Sequence, residues 1–373
     1  MDTNRSILPV ARLDHLFGAL RRDGWRLVGP RVRDGAIIYD ELSSAADLPV
    51  GWTDEQEAGL YRIRKRDDDA RFGYVVGPHS WKKYLFPPAQ TLWSASRTDA
   101  GVSVHAPATD APRTAFIGMR ACELAAIAVQ DTVFLGGATV DPEYKARREN
   151  TLFVAVNCGQ AGGTCFCVSM NTGPKAHSGY DIALTEILDG EHRFLAESGT
   201  DRGAALLAGL AGPAAAEADV LAADAAVANA ASQMGRTMDV DGVRELLQRN
   251  YEHARWDDVA ARCLSCTNCT MVCPTCFCST VEDVPDLTME NVDRVRRWDS
   301  CFTADFTHIH GGAIRPSVKS RYRQWIVHKL STWYDQFGTS GCVGCGRCIT
   351  WCPPGIDITE EVRAIRASEE TNV

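Results

Sequence analysis

Two cysteine runs of identical spacing carry the strongest chemical signal in the chain. Both read C-x2-C-x2-C-x3-C-P, and they comprise Cys263, Cys266, Cys269 and Cys273, then Cys342, Cys345, Cys348 and Cys352. This is the ligand run of two-cluster bacterial ferredoxins, in which the fourth cysteine of each run ligates the other cluster. A pair of zinc sites is the alternative, because C-x2-C pairs also bind zinc. Zinc leaves the third C-x2-C step and both C-P endings unexplained.

The crossing pattern divides these eight cysteines into two predicted [4Fe–4S] ligand sets. Set one comprises Cys263, Cys266, Cys269 and Cys352, and set two comprises Cys342, Cys345, Cys348 and Cys273. Gly341, Gly344 and Gly346 lie among the ligands of the second run, so backbone amides can approach the inorganic sulfides closely. Because four thiolates leave no iron open, we expect these centres to carry electrons and not to bind substrate.

The chain has fifteen cysteines, so seven lie outside the runs (15 − 8 = 7). Four of them form set three, which comprises Cys122, Cys158, Cys165 and Cys167. Four is the number that one cubane needs, and a Gly-rich loop between Cys158 and Cys165 can fold around an inorganic core. We predict a third [4Fe–4S] cluster here, with buried or redox-active thiols as the alternative.

Three cysteines remain, namely Cys276, Cys278 and Cys301. They are one thiolate short of a cluster. They could hold a metal with His308 or His310 as the fourth ligand, but buried thiols commonly act as small hydrophobic residues. We favour the second interpretation.

Composition indicates a globular protein of two or three domains, with 373 residues and 45% hydrophobic content. A net charge of −9 argues against nucleic-acid and anionic-membrane partners, which favour basic surfaces. An odd number of cysteines in a long chain indicates thiols kept in a reducing cytoplasm. The N-terminus has no apolar core typical of a signal peptide, and no run reaches the roughly 18 apolar residues of a membrane span.

The surrounding patterns predict an α+β fold. We expect a mixed α/β domain over residues 1–200, an Ala-rich helical linker or packing segment over 201–239, and an α-helical ferredoxin-like domain over 240–373. The last assignment rests on the 69 positions between the runs (342 − 273 = 69), which helices fill. In the first domain we predict helices at 13–20 and 121–129, and a hairpin that turns at Asp34-Gly35. We predict a loop over 40–70 and strands at 72–76, 101–106, 114–118 and 151–156.

A long helix is predicted over residues 316–335, with Lys319, Arg321 and Arg323 near its start. These cations either neutralise cluster charge or form a solvated face.

No G-x-G-x-x-G follows a strand, and there is neither a phosphate-binding loop motif nor a C-x-x-C-H haem motif. We therefore expect no flavin or nucleotide on this chain, and a non-catalytic role between active sites on other subunits.

Seven segments together resemble a known family. They are DGAIIYDELSSAADLPVGWTDEQ, FGYVVGPHSWKKYLFPP, GMRACELAAI, NCGQAGGTCFCVSMNTGP, CPTCFCS, RRWDSCF and SGCVGCGRCITWCPPGIDIT. They resemble the β subunit of cytoplasmic [NiFe] sulfhydrogenases, the NAD(P)-linked group 3b type, a family that includes one of the subunits of anaerobic sulfite reductase. The resemblance implies a [4Fe–4S] subunit that passes electrons between an FAD subunit handling NAD(P)H and the hydrogenase small and large subunits.

Two other functions remain open from the sequence. The first is the electron-input subunit of an anaerobic sulfite or sulfur reductase, whose catalytic subunit would be the partner. The second is a stand-alone ferredoxin-like carrier, but a free carrier needs no additional domain of some two hundred residues. The nickel-binding motifs R-x-C-G-x-C and D-P-C-x-x-C are absent from the sequence, so the resemblance favours a relay subunit over the hydrogen-activating one.

Overall fold

The computed structural model describes residues 5–370 and combines helices with sheets, which confirms the predicted α+β class. The strands are β1 (Arg5–Pro9), β2 (Arg26–Arg33), β3 (Ala36–Glu41), β4 (Trp52–Glu57), β5 (Leu60–Lys65), β6 (Ala89–Thr98), β7 (Gly101–His105), β8 (Thr114–Met119), β9 (Thr151–Val156), β10 (Ile182–Ile187), β11 (Arg193–Ser198), β12 (Ser279–Pro285), β13 (Asn291–Trp298), β14 (His308–Ile309) and β15 (Gly312–Ala313).

The α-helices of the described residues are α1 (Leu13–Arg22), α2 (Lys82–Leu85), α3 (Ala121–Leu135), α4 (Pro142–Glu149), α5 (Asp201–Gly209), α6 (Glu217–Ser232), α7 (Val243–Arg249), α8 (Arg255–Arg262), α9 (Asn268–Met271), α10 (Val318–Val327), α11 (Trp333–Phe337), α12 (Arg347–Thr350) and α13 (Ile358–Glu370). A π-helical segment, His328–Thr332, joins α10 to α11. Short 3-10 turns occupy Val10–Arg12 and Ala45–Asp47.

A seven-stranded sheet in the order β1-β11-β10-β9-β8-β2-β3 organises the first half of the chain. Strands β10, β9, β8 and β2 are parallel, and antiparallel strands close both edges. Every residue of β8 and β9 is buried, as expected for parallel strands covered on both faces. Cys122 at the start of α3 and Cys158 just after β9 therefore both follow buried central strands.

A second, four-stranded antiparallel sheet has the order β12-β13-β6-β7. It pairs β13 with β6, so segments near residues 90 and 295 share one sheet although the chain separates them widely. Trp298, at the end of β13, donates from its indole nitrogen to the Phe86 carbonyl. The sheet therefore joins a segment of the predicted first domain to a segment of the predicted C-terminal domain, and the division at residues 200 and 240 stays a prediction.

Many predicted elements are confirmed. Helix α1, helix α3 and strands β7, β8 and β9 lie where the patterns placed them. The hairpin between β2 and β3 turns at Asp34 and Gly35, both with positive φ, as the Asp-Gly signal predicts. The Ala-rich segment forms α5 and α6, and α6 lies beside β10.

Two predictions are wrong, and two others differ in part. The interval between the cysteine runs, which helices were predicted to fill, also contains the strands β12 and β13. Residues 40–70, predicted as loop, contain the ribbon β4–β5. Residues 72–76, predicted as a strand, form none, because Asp54 accepts from the Val75 amide while the Arg120 guanidinium binds the Phe72 and Tyr74 carbonyls. These side chains use backbone groups that a strand would pair in a ladder. The helix predicted over 316–335 contains the π-helical interruption.

Candidate iron–sulfur centres

All four set-one thiols line a single cavity, cavity one, together with Phe302, Tyr322 and Trp325. The two cysteine runs thus meet as the crossing pattern requires, because Cys352 joins the first three cysteines of the other run. Cys266 is exposed, and the neighbouring Leu264 is 65% exposed. Set one therefore lies at the surface of the protein.

All four set-two thiols line a second cavity, cavity two, with Phe166, Thr275 and Lys329. Cys348 lines both cavities, so the two sets share a wall. Burial raises the pKa of Cys342 to about 12, although Lys329 opposes that shift. A thiol this deeply buried binds as thiolate when a cationic or metallic partner compensates its charge.

Neither set suits a single metal ion. Among the described residues, no group of three or more His, Cys, Asp or Glu side chains could hold one. The thiols instead surround a cavity, an arrangement that fits a multi-iron core better than the tetrahedral zinc of the alternative interpretation. The assignment of individual ligands stays a prediction.

The glycines of the second run bring set two against set three. Gly344 has a φ of +64°, and a Cβ added there would lie 2.6 Å from the Phe166 carbonyl oxygen. The Phe166 amide donates to the Gly344 carbonyl at 2.9 Å, and an added Cβ at Gly346 would collide with Thr164. These glycines thus permit close contact between the second cysteine run and the loop that holds Cys165 and Cys167. The sequence predicts only that their backbone amides can approach the sulfides.

All four set-three thiols are buried and lie near one another. Burial raises the pKa of Cys167, and Cys158, Cys165 and Cys345 raise it further. Burial also raises the pKa of Cys165 to about 12. The structure therefore gathers these thiols beside a set-two ligand, as a third cluster requires, while the cluster itself stays a prediction.

Two buried arginines flank set three. Arg120 has its Nη1 3.9 Å from the Cys158 sulfur. Arg347 is fully buried in an ion pair with Glu123, and its Nη1 has no hydrogen-bond partner among the described residues. Burial is the largest influence on the pKa of Arg347 and lowers it. Glu123, followed by Cys345 and Cys122, outweighs burial, so the pKa of Arg347 is raised. A buried N–H without an acceptor beside these thiols fits a cluster sulfide as the missing acceptor.

The predicted cations at the start of α10 do not line either cavity. Lys319 pairs with Asp257 and Arg323 with Glu252, both at the surface, and Arg321 donates to the carbonyls of residues 315 and 316. Sequence reasoning missed Arg120, Arg347 and Lys329. Arg120 and Arg347 could have been noticed because they lie two and one positions before Cys122 and Cys348. No feature of the sequence links Lys329 to the cysteines.

One of the three remaining cysteines contacts set two, and the other two contact each other. Cys276 interacts with Cys273, and Cys278 interacts with Cys301. Hydrogen bonding with Cys301 lowers the pKa of Cys278 to about 7, with smaller contributions from Lys329 and Lys82. His308 and His310 are exposed near the ribbon β14–β15. Cys276 is buried, as the favoured interpretation expects, whereas Cys278 and Cys301 are half-buried.

Comparisons with known proteins support iron–sulfur binding by this chain. Residues 262–356 match the family described as a 4Fe-4S dicluster domain, a segment that contains both cysteine runs. The chain is 32% identical over 353 residues to sulfhydrogenase 2 subunit beta of Pyrococcus furiosus, covering 93% of this chain and 95% of that protein. No solved structure matches the chain.

These matches confirm iron–sulfur binding of the [4Fe–4S] type, whereas the number of clusters stays a prediction. Within the described residues, every helix is too short or too polar to cross a membrane. The identity and coverage show that the chain belongs to the sulfhydrogenase beta subunit family, as the resemblance predicted.

Proposed function

We propose that this chain is a relay subunit that passes electrons between the small and large subunits of a cytoplasmic [NiFe] hydrogenase and an FAD-bearing subunit that handles NAD(P)H. The observation that carries the proposal is the contiguity of three cysteine sets in a protein of this family. When bound, [4Fe–4S] clusters supply one-electron transfer. With all-cysteine ligation they offer no open iron, so the chemistry on NAD(P)H and hydrogen belongs to partner subunits.

The order of the sets follows from their shared residues. Cys348 lines both cavities and so joins set one to set two. Cys345 of set two lies beside Cys167 of set three, and the Gly344 carbonyl accepts from the loop between Cys165 and Cys167. Set two is therefore the middle of the proposed path, with sets one and three at its ends.

The chain also controls access to the path. Phe302, Tyr322 and Trp325 form an apolar wall of cavity one and exclude water on that side. Cys266 and Leu264 line the same cavity and are exposed. An exposed ligand beside an exposed apolar side chain supports partner docking at set one, where the distance to an external redox centre is shortest.

The proposal is tested with the full chain, purified anaerobically and reconstituted with iron and sulfide. Dithionite should reduce the reconstituted clusters, which shows that they are competent. NADH or NADPH with a dye acceptor should give no turnover until the flavin-bearing partner is added. Dye reduction by the chain alone, at a rate comparable with that of the whole complex, would refute the relay function and imply a flavin site on this chain.

A further inference from the structure

Lys329 is a buried cation whose ammonium group contacts the last cysteine of the first run and the residue that precedes the second run. It belongs to the π-helical segment that interrupts the long C-terminal helix, and only 3% of it is exposed. Its Nζ donates to the Cys273 sulfur at 3.3 Å, to the Thr275 hydroxyl at 3.0 Å and to the Gly341 carbonyl at 3.0 Å. Cys273 ends the first run, and Gly341 immediately precedes the second.

This ammonium group has no carboxylate partner within salt-bridge distance in the described part of the chain, and the charges that face it are thiols. Those thiols are Cys273, Cys276 and Cys342. An isolated buried ammonium is strongly destabilising unless a negative group compensates it. Set-two thiolates, which bound iron would keep deprotonated, would supply that compensation. Lys329 also lines cavity two itself.

Two other lysines show how specific this contact is. Lys82 is equally buried, but its Nζ donates to the Thr270 and Cys276 carbonyls and lies 4.1 Å from the Trp298 ring centroid. Lys319, on α10, pairs with Asp257 at the surface. Of these three lysines, Lys329 alone donates to a predicted cluster ligand.

We propose that Lys329 is a positioning residue that raises the reduction potential of the set-two cluster. The inference rests on the proposed set-two cluster, though not on the identity of the partner subunits. Reduction adds one negative charge to a centre that lies in a low-dielectric interior. A fixed ammonium group, hydrogen-bonded to a ligand sulfur, stabilises that added charge. The middle of the path would then hold an electron more readily than it would without Lys329.

The test compares Lys329→Met and Lys329→Gln with the wild type in the reconstituted full chain. The glutamine amide can still donate to Thr275 and Gly341, so this variant removes mainly the charge. EPR-monitored redox titration should show at least a tenfold fall in the equilibrium constant for reducing the set-two cluster. For a one-electron couple this is a downward shift of about 59 mV.

The controls are Lys319→Met, which should leave all midpoints unchanged, and Lys82→Met, which should shift the set-two midpoint less than either Lys329 variant. Iron analysis precedes each titration. An unchanged set-two midpoint in a fully loaded neutral variant would overturn the proposal, as would an equal shift in the Lys82 variant. Loss of the set-two cluster from both neutral variants would also overturn it, because the role would then be structural. Failure of the relay itself would appear separately, as dye reduction with NAD(P)H by the wild-type chain.

Discussion

Replacing Arg347 by methionine should be among the most destabilising single changes at the contact between the two ligand loops. The Arg347 guanidinium pairs with Glu123 at 2.6 Å, and both side chains are 0% exposed. It also donates to the Gly77 carbonyl at 2.8 Å and the His79 carbonyl at 3.1 Å. Methionine keeps an unbranched apolar stem in place of the aliphatic part of arginine but carries no charge, so Glu123 would be left as a buried carboxylate.

The expected loss of stability depends on which hydrogen-bond donors remain for the Glu123 carboxylate. Removing one partner of a buried ion pair costs roughly 3–5 kcal/mol of the free energy of unfolding. Glu123 would keep the Tyr39 hydroxyl and the Arg120 amide as donors, which favours the lower end of that range. We therefore expect a loss of about 3 kcal/mol for Arg347→Met.

An exposed pair with the same residue types and nearly the same separation provides the matched control. Arg64 and Glu55 lie 2.5 Å apart, but their side chains are 57% and 46% exposed. Because water solvates both charges, Arg64→Met should cost less than about 1 kcal/mol. The distance between the charged atoms is nearly the same in the two pairs, so the difference in cost reports burial together with the hydrogen bonds that Arg347 donates to Gly77 and His79.

The assay is anaerobic urea unfolding of variants that hold equal amounts of iron, followed by far-ultraviolet circular dichroism. The slope with urea concentration must stay unchanged for the midpoints to report stability. Adding Glu123→Leu to Arg347→Met should recover part of the loss, since the unpaired charge is gone. Equal costs for Arg347→Met and Arg64→Met, or a double variant less stable than Arg347→Met, would refute the reasoning.

Three further predictions concern the ligand sets. Cys273→Ala should alter the EPR signal of the set-two cluster and spare that of set one, and the opposite result would refute the crossing. Iron and sulfide should each be about twelve per chain, falling to about eight in Cys158→Ser; a wild-type value near eight would remove the third cluster. Gly346→Ala should be more destabilising than Gly338→Ala, because both have positive φ but only Gly346 abuts Thr164. In urea unfolding, equal costs would show that the contact with Thr164 is unimportant.

The sequence predicted those parts of the site whose signal is local. A C-x2-C-x2-C-x3-C-P run fixes the types and spacing of its own ligands, so the two sets and their crossing could be stated before the fold was known. Helix α3 and strands β8 and β9 were predicted because their largely apolar runs, bounded by polar residues, indicate buried elements.

The missed features all depend on contacts between distant segments. Lys329 reaches Cys273 across 56 positions of the chain, and no local pattern distinguishes it from the solvated Lys319. Residues 72–76 have strand-like composition, but the Arg120 guanidinium and the Asp54 carboxylate bind backbone groups there. Tertiary hydrogen bonds of this kind override composition.

The more deeply buried thiol sets are also the ones with basic side chains next to their sulfur atoms. Set one is partly exposed, and none of the described residues that line its cavity is Lys or Arg. Set two has a buried ammonium on the Cys273 sulfur, and set three has the guanidinium of Arg120 beside Cys158. Water can stabilise charge at set one, whereas the buried sets depend on fixed cations.

Exposure and fixed charge also determine how the reduction potential of each centre responds to its surroundings. Solvent and salt screen an exposed centre, so its potential responds to whatever docks on it. A buried centre beside a fixed cation keeps a potential set by the fold. In the proposed relay, the exposed set would exchange electrons with a partner protein, whereas the buried middle set would hold the electron until a centre at either end accepts it.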